Sequence, residues 1–234
     1  TLLSKNSKRW FLNIRLMMKV KIKTALVSVS DKKGLEKITK YLFKNDILVF
    51  SSGGTYDYLK KIDPRLKLVE VSSYTKFKEI LDGRVKTLHP LIHAGILADK
   101  YNSKHISQLD RLNIKTIDLV IVNLYPFEKT LYKKNSTESD CIDNIDIGGP
   151  SLIRGAAKNY RSVVVLSSPS QYDAFINEAK KSNNDINIEF RKKLAMKAFQ
   201  KTAYYDSIIS NWLSKGDYIS GNENSALPLK KIKQ

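Results

Sequence analysis

Three features of the 234-residue sequence predict an α/β fold, a three-layer α/β/α sandwich around a mostly parallel sheet. Short apolar, β-branched runs alternate with segments of helical periodicity, the pattern of strands joined by crossover helices. One run, "IDLVIVNLY" (Ile117–Tyr125), is apolar almost throughout, as expected of a strand covered on both faces. The strand-like runs also pass into helices through turns rich in Ser, Thr and Gly, such as "SVSDKKG" and "SSGGT".

The elements follow in order. "TALVSVS" (Thr24–Ser30) reads as a first strand, with a helical pattern from Gly34 to Asn45 behind it. "ILVFSS" (Ile47–Ser52) is a second strand, and Gly53-Gly54 lead into a helix ending near Leu59. "KLVEVS" (Lys67–Ser72) is a third, Ile117–Tyr125 a fourth and "SVVVLSS" (Ser162–Ser168) a fifth, with a helix after Pro169. A long helix is predicted from about Ile188 to Ser214. In "NIDIGGPSLIRGAAKNY" (Asn144–Tyr160), Pro150 suits a first helical position, and Leu152, Ile153, Ala156 and Ala157 would form its buried face.

Composition narrows the function. Hydrophobic residues make up 42% of the chain, enough for a substantial core. A single cysteine, Cys141, rules out a disulfide framework and a cysteine-based zinc cluster, and fits a cytoplasmic setting. No run reaches the roughly 18 apolar residues of a membrane span, so no membrane partner is expected. The net charge of +18 is unevenly spread: residues 1–23 hold seven basic residues and no acid, and Lys230, Lys231 and Lys233 lie in the tail. The body's charges are interspersed, without an arginine stripe or a nucleic-acid motif. They suit phosphorylated small molecules, and nucleic acid is not the expected partner. Residues 1–17 are expected to be an extension outside the fold, before a domain over 18–215 and a tail over 216–234.

In a parallel sheet ligands lie beyond the carboxyl ends of the strands. Ser30, Asp31 and Lys32 after the first strand, and Ser52, Gly53, Gly54 and Thr55 after the second, fall there. Each turn alone reads equally as a helix cap or as an anion site; two at neighbouring strand ends favour the anion. Neither is a dinucleotide fingerprint or a nucleotide-triphosphate loop. In "DGRVKTLHPLIHAGIL", His89 and His93 lack the further ligands of a metal site, and Arg84, Lys86 and Thr87 suit an anionic ligand or a solvated loop. Asp146 would lie at the positive end of its helix, and Lys158 at the far end reads as a helix C-terminal cation or a site residue.

Taken in order, "SVSDK", "SSGGT", "GRVKTLHP", "HAGIL", "NLYPF", "NIDIGGPSLIRGAAKN" and "LAMKAFQKTAYYD" resemble the inosine monophosphate cyclohydrolase domain, a methylglyoxal-synthase-like fold. The resemblance runs from about Lys23 to Leu213. It implies closure of the purine ring of a formylated imidazole carboxamide ribotide, with loss of water and no cofactor. In the bifunctional family the other half is a formyltransferase using 10-formyltetrahydrofolate; this chain is too short to contain it, and "LPLKKIKQ" resembles the linker toward it. The resemblance assigns Lys158 as proton donor and acceptor, with Asp146 close by, Lys86 stabilising negative charge, and Tyr125 as a hydrogen-bonding or relay group. Asp146 and Lys158 would bracket a turn facing the reacting atoms. The phosphate would meet Ser30, Asp31 (through its backbone N–H), Lys32 and Ser52–Thr55. Arg84, Val85, Thr87, Val122, Asn123 and Ile147 would line the base and ribose. A homodimer is implied too. Tyr160 stands where the family commonly has histidine.

Overall fold

The computed structural model describes residues 19–214. The expectations for residues 1–17 and for the tail over 216–234 lie outside these. A five-stranded parallel sheet of order β4-β3-β2-β5-β6 forms the centre. Its strands are β2 (Thr24–Val29), β3 (Leu48–Ser51), β4 (Leu68–Glu70), β5 (Leu119–Asn123) and β6 (Val164–Leu166). All five predicted strands are present and parallel. The third is shorter than Lys67–Ser72, because Val71 starts a short helix, α3 (Val71–Thr75).

All five residues of β5 are buried, as its unbroken apolar sequence requires for a strand between β2 and β6. Helix α1 (Leu35–Lys44) follows β2 and turns Leu35, Ile38 and Leu42 inward, each at 0% exposure. Their i, i+3, i+7 spacing makes one apolar stripe, and burial of each stabilises the fold by about 1.5–3 kcal/mol. Helix α2 (Gly53–Ile62) leads from β3 toward β4.

Between β4 and β5 the chain forms α4 (Pro90–Leu97) and α5 (Ser103–Arg111), neither singled out by the apolar pattern. His89 accepts a hydrogen bond from Leu91 N–H at 3.2 Å and so caps α4. Short helices α6 (Phe127–Leu131) and α7 (Glu138–Asp143) precede α8 (Gly148–Lys158). After β6, α9 (Tyr172–Lys181) and the 26-residue α10 (Ile188–Leu213) complete the helical layers. Two strands unmarked in the sequence, β1 (Val20–Lys21) and β7 (Asp185–Ile186), pair as a small antiparallel ribbon.

The amino end of the sheet is tied by buried charge. Asp118 accepts from Lys23 N–H and Thr24 N–H, both at 2.8 Å, and pairs with Lys100. Arg191, fully buried, donates to the carbonyls of Tyr160 at 2.8 Å and Arg161 at 2.9 Å, and to that of Ile186. The Tyr160 position therefore contributes its backbone to this anchor.

Candidate active site

The strand order places the switch in chain direction between β2 and β5. Strands fan out on one side through β3 and β4, then return to the other side at β5. Turns leaving β2 and β5 diverge there, which opens a crevice at their carboxyl ends. A cleft of about 840 Å³ occupies this place. Its walls come from the turns after β2, β3 and β5, the loop through Gly83–Lys86, and the start of α8.

One floor of the cleft is a clamp. Register sets Val29 of β2 beside Asn123 of β5. The Asn123 carboxamide oxygen accepts from Ser30 N–H at 2.8 Å and Asp31 N–H at 2.9 Å, while its nitrogen donates to Asp31 C=O at 2.7 Å. Thr55 likewise closes on Val29, accepting from its N–H at 3.2 Å and donating to its C=O at 3.0 Å. Asn123 and Thr55 shape the β2 turn with the hydrogen-bonding groups predicted for ligand.

Asp31, expected to meet the phosphate through its backbone N–H, gives that N–H to Asn123. Its carboxylate accepts from Lys33 N–H at 2.9 Å, and the residue does not line the cleft. Ser30, Lys32, Ser52 and Gly54 do line it. Ser52, only 8% exposed, has a hydroxyl with no hydrogen-bond partner among the described residues. Gly53 faces a smaller neighbouring pocket of about 270 Å³.

On the opposite wall, Asp146 is held on three sides. Its carboxylate accepts from Gly149 N–H at 2.7 Å and Tyr125 N–H at 3.2 Å, and its own N–H donates to the Tyr205 hydroxyl at 2.8 Å. Burial pushes the Asp146 carboxyl up, and the two amides pull the other way. A Cβ at Gly149 would lie 2.4 Å from Asp146 Oδ2, so glycine is required for this approach. Tyr125 stands exposed at the rim, and Lys86 enters from the loop. Arg84 reaches across to Asp143 at 2.6 Å. Val122 and Ile147, expected beside the base and ribose, line the cleft. Val85 and Thr87 do not: Val85 pairs with Ile80, and Thr87 is buried against Gly148.

Helix α8 begins at Gly148, two residues before Pro150, so the expected proline start is displaced. Its 11 residues span about 16 Å. Asp146 lies before one end and Lys158 closes the other, exposed and not lining the cleft. Within one chain the two residues thus stand at opposite ends of α8, and only Asp146 lines the cleft. A helix returning antiparallel to the strands must deliver its last residue to the opposite edge of the sheet. There Asn159 donates to Ile96 C=O at 2.7 Å and Ala98 C=O at 2.9 Å.

The comparisons with known proteins bear on this geometry. Residues 34–151 match the MGS-like domain, half of the sequence and most of the cleft. The chain belongs to the MGS-like domain family. Residues 156–234 match the AICARFT/IMPCHase bienzyme family. The chain is 49% identical over 192 residues to the bifunctional purine biosynthesis protein PurH of Acetivibrio thermocellus, covering 82% of this chain and 37% of that protein. It is 50% identical over 196 residues to the PurH of Leptospira biflexa, covering 84% and 38%. The chain thus spans under two fifths of these relatives' length. The crystal structure of ForH superposes with a TM-score of 0.71 at 28% identity, covering 83% of this chain and 98% of that one.

As an MGS-like domain the protein keeps its polar residues at the strand ends, but two residues that shape the site come from elsewhere. Tyr205 lies 59 residues from Asp146 in sequence, and no local pattern links them. Glu79 sits in "KEILDGRVK", where the Asp-Gly turn signal could have suggested that it folds back on Lys86. Among the described residues no group of three or more His, Cys, Asp or Glu is placed to hold a metal ion. No described helix is long and apolar enough to cross a membrane.

Proposed function

We propose that this MGS-like domain closes the purine ring, converting 5-formamidoimidazole-4-carboxamide ribotide to inosine monophosphate. The observation that carries the reading is that Lys86, Tyr125 and Asp146 line the same cleft as Ser30, Lys32 and Ser52. It is further supported by the similarity to bifunctional purine biosynthesis proteins.

Nucleophile and electrophile share one substrate, so the protein's task is orientation, charge stabilisation and proton transfer. The carboxamide nitrogen bonds to the formyl carbon. One proton leaves that nitrogen and one leaves the formamide nitrogen; both depart on the formyl oxygen as water. The step is redox-neutral and uses no cofactor in this reading; 10-formyltetrahydrofolate belongs to the formyltransferase activity of the longer relatives' family. The phosphate would lie between Lys32, the Ser52 hydroxyl and the first-turn amides of α2, which have no intrahelical acceptor. Lys86 would stabilise the developing oxyanion, Tyr125 would relay a proton, and ionised Asp146 would accept one. Arg84, Val122 and Ile147 would line the base and ribose.

Lys158 fits this scheme only if it reaches the cleft of a second copy, in the homodimer that the family resemblance implies. Mixing inactive Lys86→Ala and Lys158→Ala proteins would then restore up to about a quarter of wild-type turnover, since half the dimers are mixed and each holds one intact site. No recovery would remove Lys158 from the chemistry.

The reading is tested by adding the formylated ribotide and following inosine monophosphate by absorbance. Wild-type turnover that falls at least about 100-fold in Lys86→Ala is expected. Nucleotide binding without any wild-type turnover would leave the cleft a binding module and refute the enzyme.

A further inference from the structure

Lys86 is the charge that the proposed chemistry leans on, and it is not free in the cleft wall. Its ammonium lies 3.1 Å from the Glu79 carboxylate. The backbone makes this meeting. Ile80 and Val85 form an isolated antiparallel bridge, with Ile80 N–H donating to Val85 C=O at 3.2 Å and Val85 N–H to Ile80 C=O at 3.4 Å. In an antiparallel pair the next residues outward face each other, and these are Glu79 and Lys86.

Two glycines make room for the ion pair. Gly83, at φ 89°, turns the loop, and a Cβ there would lie 2.7 Å from Glu79 Oε1 and 3.4 Å from Lys86 Nζ. Gly53, at φ 51°, opens α2 from the other side, and a Cβ there would lie 3.3 Å from Lys86 Nζ. Lys86 borders both the main cleft and the smaller pocket, whereas Glu79 borders only the smaller one. The carboxylate therefore holds the ammonium from behind, on the side away from the cleft. With side chains 27% and 43% exposed, such a pair adds little to stability.

We propose that Glu79 is a positioning residue: it fixes the Lys86 ammonium in the wall of the cleft for ring closure. The inference rests on the cyclohydrolase reading. It carries a signature that a structural role lacks, because Glu79 acts in opposite directions on binding and turnover. A nearby carboxylate weakens ground-state binding of an anionic nucleotide, while the same carboxylate orients the lysine for the reacting oxygen.

The test measures turnover of the formylated ribotide and the Kd for inosine monophosphate in wild type, Glu79→Gln, Lys86→Met and the double variant. Glu79→Gln should lower kcat about tenfold while its Kd stays the same or tightens up to about threefold, with an unchanged melting temperature. In the Lys86→Met background the same substitution should change residual turnover less than about twofold, since its effect passes through the lysine. Unaltered kcat in Glu79→Gln, or an equal loss in both backgrounds, overturns the proposal alone. Absence of turnover in wild type contradicts the cyclohydrolase reading, and this inference falls with it.

Discussion

The Tyr205 hydroxyl joins the two ends of the turn that carries Asp146, accepting from Asp146 N–H at 2.8 Å and donating to Asn144 C=O at 3.0 Å. Tyr205 comes from the long helix α10, which packs across α8, and its ring meets Phe127 edge-on at 6.3 Å between centroids. Burial pushes the phenol up to about 12, so it stays a neutral donor throughout the working pH range. The geometry of Asp146 is thereby fixed from the far side of the helical layer.

Tyr205→Phe keeps the ring but strips both hydrogen bonds from a 6% exposed residue. The expected cost is about 1–3 kcal/mol in urea unfolding, because a backbone donor and an acceptor lose their partner. Turnover should fall roughly tenfold as Asp146 loses its fixed position. Wild-type values of both would remove Tyr205 from the account.

Gly149→Ala tests the close approach at the start of α8. The added methyl would sit 2.4 Å from Asp146 Oδ2 and 2.8 Å from Leu124 Cδ2. Both neighbours would have to move, at about 1–3 kcal/mol of stability. Calorimetric titration with inosine monophosphate should show weakened binding in the protein that still folds.

The Asp146 carboxyl also predicts a pH dependence. Burial raises it above the ordinary value of 3.8 in the folded protein. The folded state therefore holds this proton more tightly than the unfolded chain does. Its contribution to stability is complete below the unfolded value and is lost as pH rises through the raised folded value. Urea unfolding from pH 3 to 7 should show that slope in wild type and a flatter curve in Asp146→Asn. With Asp146 as proton acceptor, the acid limb of kcat should be displaced upward in the same direction.

At the opposite edge of the sheet, charge is structural. Asp118 takes two backbone N–H groups and the buried Lys100, whose ammonium burial pushes down while Asp118 pulls it up. Asp118→Ala should cost about 3–5 kcal/mol by leaving a buried lysine without its partner. The affinity of the remaining folded protein for inosine monophosphate should be unchanged.

Much of this arrangement was legible because strands announce themselves locally. Continuous apolar runs marked β2, β3, β5 and β6, and the strand-end rule placed Ser30 and Ser52 near one crevice. Hydrogen-bond assignment was not legible: the Asp31 amide and the Asn123 carboxamide look available in sequence, yet they satisfy each other. Motif spacing also does not report distance in space: one helix length separates Lys158 from Asp146. The Tyr205 contact comes from helix packing, which no local pattern reports, whereas the return of Glu79 to Lys86 had one local sign, the Asp-Gly turn between them. The β1–β7 ribbon, with two residues per strand, is too short for alternation to mark.

A crystal structure of the protein with inosine monophosphate would show where the nucleotide lies. The phosphate is expected within hydrogen-bond distance of the Ser52 hydroxyl and the Lys32 ammonium, and the base directed toward Lys86, Tyr125 and Asp146. A nucleotide bound elsewhere, or a base directed away from those three, would contradict the proposed site.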